Sequence, residues 1–276
     1  MINLENNFKE NLKIDFKLVD SHCHLDRCDL QALGYDSMDQ CLLAIRKNHI
    51  AHLLCVCVDL PNFKSVRDLA QKYPDMIHCS VGAHPADPHD PEPSEQDLIH
   101  LASDDLVLAI GETGLDYFHC KGDVTWQKNR FKTHIRAARA VNKPLIIHTR
   151  DAREDTLAIL KSENAQEVGG VLHCFTENLA FAEACMDLGF YISFSGIVTF
   201  KNAKDLQEVA KKIPLEKLLI ETDAPYLTPM PYRGKPNQPS YVRHVAEFLS
   251  ELRGESLLNL AAQTTKNFED LFKFKI

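Results

Sequence analysis

No apolar run in the 276-residue chain approaches the roughly 18 residues that a membrane-spanning helix needs, so no membrane association is expected. The first residues, Met1 to Phe16, are polar and mixed in charge and lack the apolar centre of a secretory signal. Positive charge is also short: 31 Lys and Arg stand against 39 Asp and Glu, a formal net charge of -8. That excludes a broad basic face gripping duplex DNA, which needs many clustered cations, and leaves room for a short local contact to phosphate. A paired cysteine framework is lacking too. The nine cysteines are odd in number and scattered, several inside apolar runs such as Leu53-Leu54-Cys55-Val56-Cys57-Val58. A reduced, cytoplasmic setting is the expectation. No internal repeat, low-complexity tract or linker divides the chain, and no obligate protein partner is evident.

What is present is alternation. Short apolar runs fall at Lys17–Asp20, His52–Val58, Ile77–Gly82, Leu106–Gly111, Pro144–His148, Gly170–His173, Phe190–Ser195 and Lys217–Ile220. Amphipathic stretches separate them, among them Met38–Asn48, Phe63–Lys72, Trp126–Val141, Arg153–Ser162, Ala180–Leu188 and Ala203–Lys212, and Tyr241–Leu252 and Ser256–Phe272 close the chain. Strand alternating with helix predicts parallel βαβ units. Eight of them in this length predict an α/β fold of the (β/α)8 TIM-barrel type, one domain over residues 17–276 behind a polar extension at 1–16. An open doubly wound sheet would want a glycine-rich first turn, and the first strand ends instead in Ser21-His22-Cys23-His24. The proline-rich Asp87–Pro93 reads as a loop leading to Ser94, a helix cap.

Ionisable residues follow these apolar runs in a pattern. His22 and His24 share a face of an extended segment, with Cys23 pointing away. Gly111-Glu112, Ile147-His148, Leu172-His173 and Ile220-Glu221-Thr222-Asp223 repeat the arrangement. In a barrel these ends converge on one mouth. Four histidines and two carboxylates together exceed what one tetrahedral ion takes from protein while keeping an open position. Two divalent metal ions are therefore expected, with His22, His24 and Asp223 on one, His148 and His173 on the other, and Glu112 bridging. Imidazoles suit Zn, while a phosphodiester substrate suits Mg or Mn. A site of net positive charge favours hydroxide and an anionic substrate, and two-metal clamps suit phosphoester hydrolysis.

The segments Val19-Asp20-Ser21-His22-Cys23-His24-Leu25-Asp26, Gly111–Tyr117, His148-Thr149-Arg150-Asp151-Ala152 and Glu221–Leu227 resemble the TatD family of metal-dependent deoxyribonucleases. Val81–Pro85, Ser193–Gly196 and Arg233–Asn237 fit as well, and His173-Cys174-Phe175-Thr176-Glu177 brings the chain nearest the YcfH-like branch. Many relatives carry glycine where Glu177 stands. The resemblance implies an amidohydrolase-type barrel, divalent metals and 3′-end nuclease activity on DNA and sometimes RNA. It also implies that His84 and Arg233 face substrate rather than metal.

The catalytic expectations are Asp223, to hold and deprotonate the attacking water, and Glu112 as the bridge. Glu221, one layer deeper, either orients a ligand or is a satisfied buried carboxylate. Arg150 shares a face with His148 and either binds phosphate or pairs with Asp155. Ser195 could bond a phosphate oxygen, Lys235 is solvated or a contact, and Tyr117 is more often packing than a stacking platform. His52 reads as surface or satisfied, and His134 as a structural hydrogen bonder. The reading is a two-metal phosphodiesterase, a 3′-5′ exonuclease on single-stranded DNA ends and open to RNA. The alternatives are an amidohydrolase on a small amide or ester, which often bridges its metals with a modified lysine, and a non-catalytic metal-binding nucleic-acid module.

Overall fold

Every apolar run expected to be a strand is one in the computed structural model, which describes residues 16–86 and 91–276. The strands are β1 (Leu18–Cys23), β2 (Ile50–Cys55), β3 (Ile77–Val81), β4 (Val107–Asp116), β5 (Leu145–Arg150), β6 (Gly170–Leu172), β7 (Tyr191–Phe194) and β8 (Leu218–Ile220). They pair in chain order, all parallel. Beyond the last strand the barrel is laced shut by the His24 N–H donating to the Ala224 carbonyl at 2.7 Å and the Asp223 N–H donating to the His22 carbonyl at 2.9 Å.

The outer helices are α1 (Met38–Lys47), α2 (Phe63–Lys72), α3 (Glu95–Ala102), α4 (Thr125–Val141), α5 (Arg153–Ser162), α6 (Leu179–Met186), α7 (Lys204–Lys212), α8 (Val242–Arg253) and α9 (Leu257–Phe272). Ser94 caps α3 in a capping box with Asp97, as its position predicts. Cysteines 23, 41, 55, 57, 79 and 185 are buried and unpaired in the layer between strands and helices, as small apolar filler. A second cluster fills the barrel itself. Val19, Leu54, Val56, Leu108, Ile146, Val171 and Leu219 meet Phe268, Leu271 and Phe272 of α9, which plugs the end opposite the mouth.

Residues 1–15 of the expected extension and 87–90 of the proline-rich loop lie outside the described residues. Phe16 is buried, with its ring 4.6 Å from that of His49. No helix among the described residues is long and apolar enough to cross a membrane.

One strand departs from expectation. β4 runs on through Glu112 to Asp116 rather than stopping at Gly111, with a register irregularity between Ile110 and Thr113. Two glycines at positive φ, Gly111 and Gly114, let it continue. Gly114 sits at φ 140°, and a Cβ there would lie 1.9 Å from the His148 carbonyl oxygen. The bulged strand can approach β5 this closely only without a side chain.

Candidate metal centre

Barrel closure decides which side chains meet. The two hydrogen bonds joining β1 to the segment after β8 also bring His22, His24 and Asp223 together from opposite ends of the chain. Buried Asp20 braces the same seam, accepting from the Thr222 N–H at 2.8 Å and the Thr222 hydroxyl at 2.5 Å. Burial pushes its carboxyl well above the ordinary carboxylate range, against those hydrogen bonds.

Glu112 lies at the middle, buried, with its two oxygens divided between two pairs of imidazoles. Oε2 is 3.4 Å from His22 Nε2 and 3.9 Å from His24 Nε2. Oε1 is 3.1 Å from His148 Nδ1 and 2.8 Å from His173 Nε2. Asp223 Oδ1 stands 3.3 Å from His24 Nε2 and 3.7 Å from His22 Nε2. Burial would raise the Glu112 pKa, but the field of His173, His84 and His148 outweighs it and holds the carboxyl well below its usual value. Asp223 is likewise lowered: burial opposes ionisation, and His24, His22 and His173 favour it more.

The outer nitrogens of three of these rings are tied. His24 Nδ1 reaches the Val56 carbonyl at 2.9 Å, His148 Nε2 reaches Asp116 Oδ2 at 3.1 Å, and His173 Nδ1 reaches Glu221 Oε1 at 3.3 Å. Each ring thus presents its other nitrogen to the same small space. Acceptors behind imidazoles whose free nitrogens converge are the usual outer shell of a metal site. Three overlapping groups, His22/His173/Asp223, His22/His24/Glu112 and His84/Glu112/His148, have ligand atoms within 4.8 Å of one another. Hard carboxylate and borderline imidazole donors in this ratio fit divalent ions.

His84 Nδ1 accepts the Ala86 N–H at 3.1 Å, and its Nε2 is 3.3 Å from Glu112 Oε1. It lines the cavity and belongs to the third of the groups just named.

A cavity of about 650 Å³ opens above the cluster, lined by His24, His84, Glu112, His148, His173 and Asp223 and by Arg27, His119, Arg150 and Tyr226. Arg150 therefore reaches the mouth, with its guanidinium 4.1 Å above the Phe118 ring. The alternative partner, Asp155, is taken by Lys128 at 2.7 Å and by the Tyr117 hydroxyl at 2.6 Å. Tyr117 is thus a packing residue. Ser195 and Arg233 are not brought to the cavity. Ser195 is buried, its Oγ 3.2 Å from Cys174 Sγ, and Arg233 lies outside over Phe200 at 4.3 Å. Glu177 faces Arg153 at 3.3 Å. Glu221 stands behind His173 and also accepts the Cys174 N–H at 2.8 Å. His134 is structural, as expected, accepting the Ala83 N–H at 3.0 Å and donating to Arg130 O at 2.8 Å.

The sequence reading gave no role to Asp116, His119 or Arg27. Asp116 is fully buried and gathers His148, the N–H of Phe118 at 2.9 Å and of His119 at 2.8 Å, and the His119 ring at 2.7 Å. The available signal was its spacing, four residues past Glu112, which shares a face only if the strand continues through Gly114.

The TatD related DNase family model matches residues 19–273. The uncharacterized metal-dependent hydrolase YcfH of Escherichia coli K12 is 49% identical over 255 residues, covering 92% of this chain and 95% of that protein. The uncharacterized metal-dependent hydrolase YabD of Bacillus subtilis is 43% identical over 260 residues, covering 93% and 99%. Among solved structures, YjjV, a TatD homolog from Escherichia coli K12, superposes with a TM-score of 0.84 at 27% identity, covering 95% of this chain and 100% of that one. With a carboxylate-centred histidine cluster at the mouth of a (β/α)8 barrel and these relatives spanning it, the chain belongs to the TatD family of metal-dependent hydrolases.

Proposed function

We propose that the chain is a two-metal phosphodiesterase that removes nucleotides from single-stranded nucleic-acid ends, DNA foremost. The observation that carries this reading is the division of Glu112, Oε2 toward His22 and His24 and Oε1 toward His148 and His173. A carboxylate shared in this way is the natural bridge of a divalent pair, and such a pair, when bound, lowers the pKa of water and offsets phosphate charge. Asp223, held ionised beside His24, is placed to accept the proton of the water that attacks phosphorus. His84, Arg150 and Arg27 line the wall, where they would contact phosphate oxygens. Asp116 and Glu221 hold His148 and His173 in orientation. A concave mouth admits a terminal nucleotide, whereas an internal phosphate of a duplex reaches its floor only after unpairing.

The lysine-bridged amidohydrolase reading has no support here. Lys143 points to the opposite end of the barrel, donating to the carbonyls of Ala102 at 2.6 Å and Asp104 at 3.1 Å. The deciding assay is hydrolysis of end-labelled single strands by chelated protein, with Mg, Mn or Zn added back singly. We expect metal-restored release of mononucleotides and no cutting of circular single strands. Efficient cutting of circles would favour an endonuclease with an extended groove. Turnover of small phosphate esters or amides without any polynucleotide hydrolysis would favour the small-substrate reading.

A further inference from the structure

Among the described residues, four large apolar side chains are about half exposed, Leu43 at 55%, Phe118 at 50%, Tyr226 at 50% and Leu258 at 49%. Tyr226 lines the cavity, and Phe118 stands just outside it, beside the lining residues His119 and Arg150. Arg150 lies over Phe118 at 4.1 Å. Tyr226 lines the wall together with Arg27, whose guanidinium donates to Asp59 at 3.2 Å. Phe118 follows β4 and Tyr226 follows β8, and in an eight-stranded barrel with strands in chain order these positions face each other across the mouth. The metal-ligand cluster lies between them.

We propose that Phe118 and Tyr226 are paired stacking posts that hold one nucleobase on each side of the scissile phosphate. Every nucleobase has an apolar face that an aromatic ring can cover, and its neighbouring phosphate wants a cation within a few ångströms. An exposed ring with an adjacent guanidinium answers both requirements, and two such pairs across one metal cluster match two successive nucleotides. His119 reinforces the Phe118 side. Its ring meets Phe118 edge-on at 4.9 Å and is fixed by Asp116 at 2.7 Å, which leaves its other nitrogen toward the cavity for the same phosphate. The proposal rests on the nuclease reading and adds to it that the smallest efficient substrate is a dinucleotide with both bases present.

The test is steady-state hydrolysis of short single-stranded DNA, intact or lacking the base on one or the other side of the scissile phosphate. Phe118→Ala and Tyr226→Ala should each raise KM about 5- to 150-fold, the range that one base–aromatic stack supplies, and lower kcat far less. Each variant should also become insensitive to removal of the base its ring held, while remaining fully sensitive to removal of the other. Phe118→Trp should keep the wild-type KM. Penalties for base removal that are identical in wild type and both alanine variants, or KM values unchanged by either substitution, would overturn the stacking assignment while leaving the nuclease reading in place. A wild-type protein that turns over only small esters or amides would instead remove the nuclease reading, and the posts with it.

Discussion

His52 provides a stability test far from the chemistry. It lies in β2 at the plugged end of the barrel, its ring 5.0 Å from His78 and 4.9 Å from Phe274. The sequence reading expected it to be exposed or satisfied, and it is neither: 1% of its surface is open and Nε2 has no hydrogen-bond partner. Burial, then the neighbouring His78, lowers its pKa from 6.5 to about 3. A histidine lowered in the folded state stays neutral there while the unfolded chain takes up a proton. Its contribution to stability is complete above pH 6.5 and is lost as pH falls from there toward 3. With those two values, the loss between pH 7.5 and pH 5 is about 2 kcal/mol, because the unfolded form is then protonated in roughly 97 of 100 molecules. His52→Leu removes both the titrating group and the orphaned nitrogen at similar volume. The metal-site histidines and surface carboxylates titrate alike in both proteins and cancel in the difference. The wild-type and variant unfolding free energies, from urea titrations at pH 7.5, 6.5, 5.5 and 5, should therefore diverge by about 2 kcal/mol in favour of the variant on acidification. Curves that stay parallel across that range would refute the assignment of a buried neutral imidazole at this position.

Four further outcomes are expected. Glu112→Gln should weaken both halves of the cluster together and abolish hydrolysis with the fold retained, whereas His148→Ala should deplete chiefly one half; metal analysis with turnover measurements checks this. Asp116→Asn should cost about 10- to 100-fold in metal affinity, because the Nε2 hydrogen bond that aims His148 Nδ1 is weakened, and competition with a chelator reads it directly. Gly114→Ala should destabilise the barrel by several kcal/mol, of the order of about 3 or more, since its Cβ would meet the His148 carbonyl at 1.9 Å; a wild-type melting temperature would contradict the geometry. Binding of single-stranded DNA should weaken only shallowly with salt, with a log–log slope of about -1 to -2 at roughly 0.7 per phosphate contacted, and a slope several-fold steeper would require cations beyond Arg27 and Arg150.

Those cations show where reading the chain alone runs short. The barrel was legible because parallel strands buried on both faces and amphipathic helices each leave a local signature, which survives whatever else the chain does. The metal cluster was legible because topology makes all strand ends converge: once His22, His148, His173 and Asp223 each follow an apolar run, their meeting is a consequence of the fold. Distances across the mouth have no such local signature. That Asp116 stands behind His148 depends on β4 bulging near Gly111 and continuing through Gly114. That Arg150 lies over Phe118, while Asp155 binds Lys128 and Tyr117, depends on the packing of α4 and α5 against the strand ends. Ser195 and Arg233 sit in motifs of the right kind, yet Ser195 meets Cys174 behind the cavity wall and Arg233 lies over Phe200. Periodicity specifies which face a side chain occupies, because that follows from one backbone dihedral pattern. Which partner it meets on that face is a property of two segments at once, and only the closed barrel holds both.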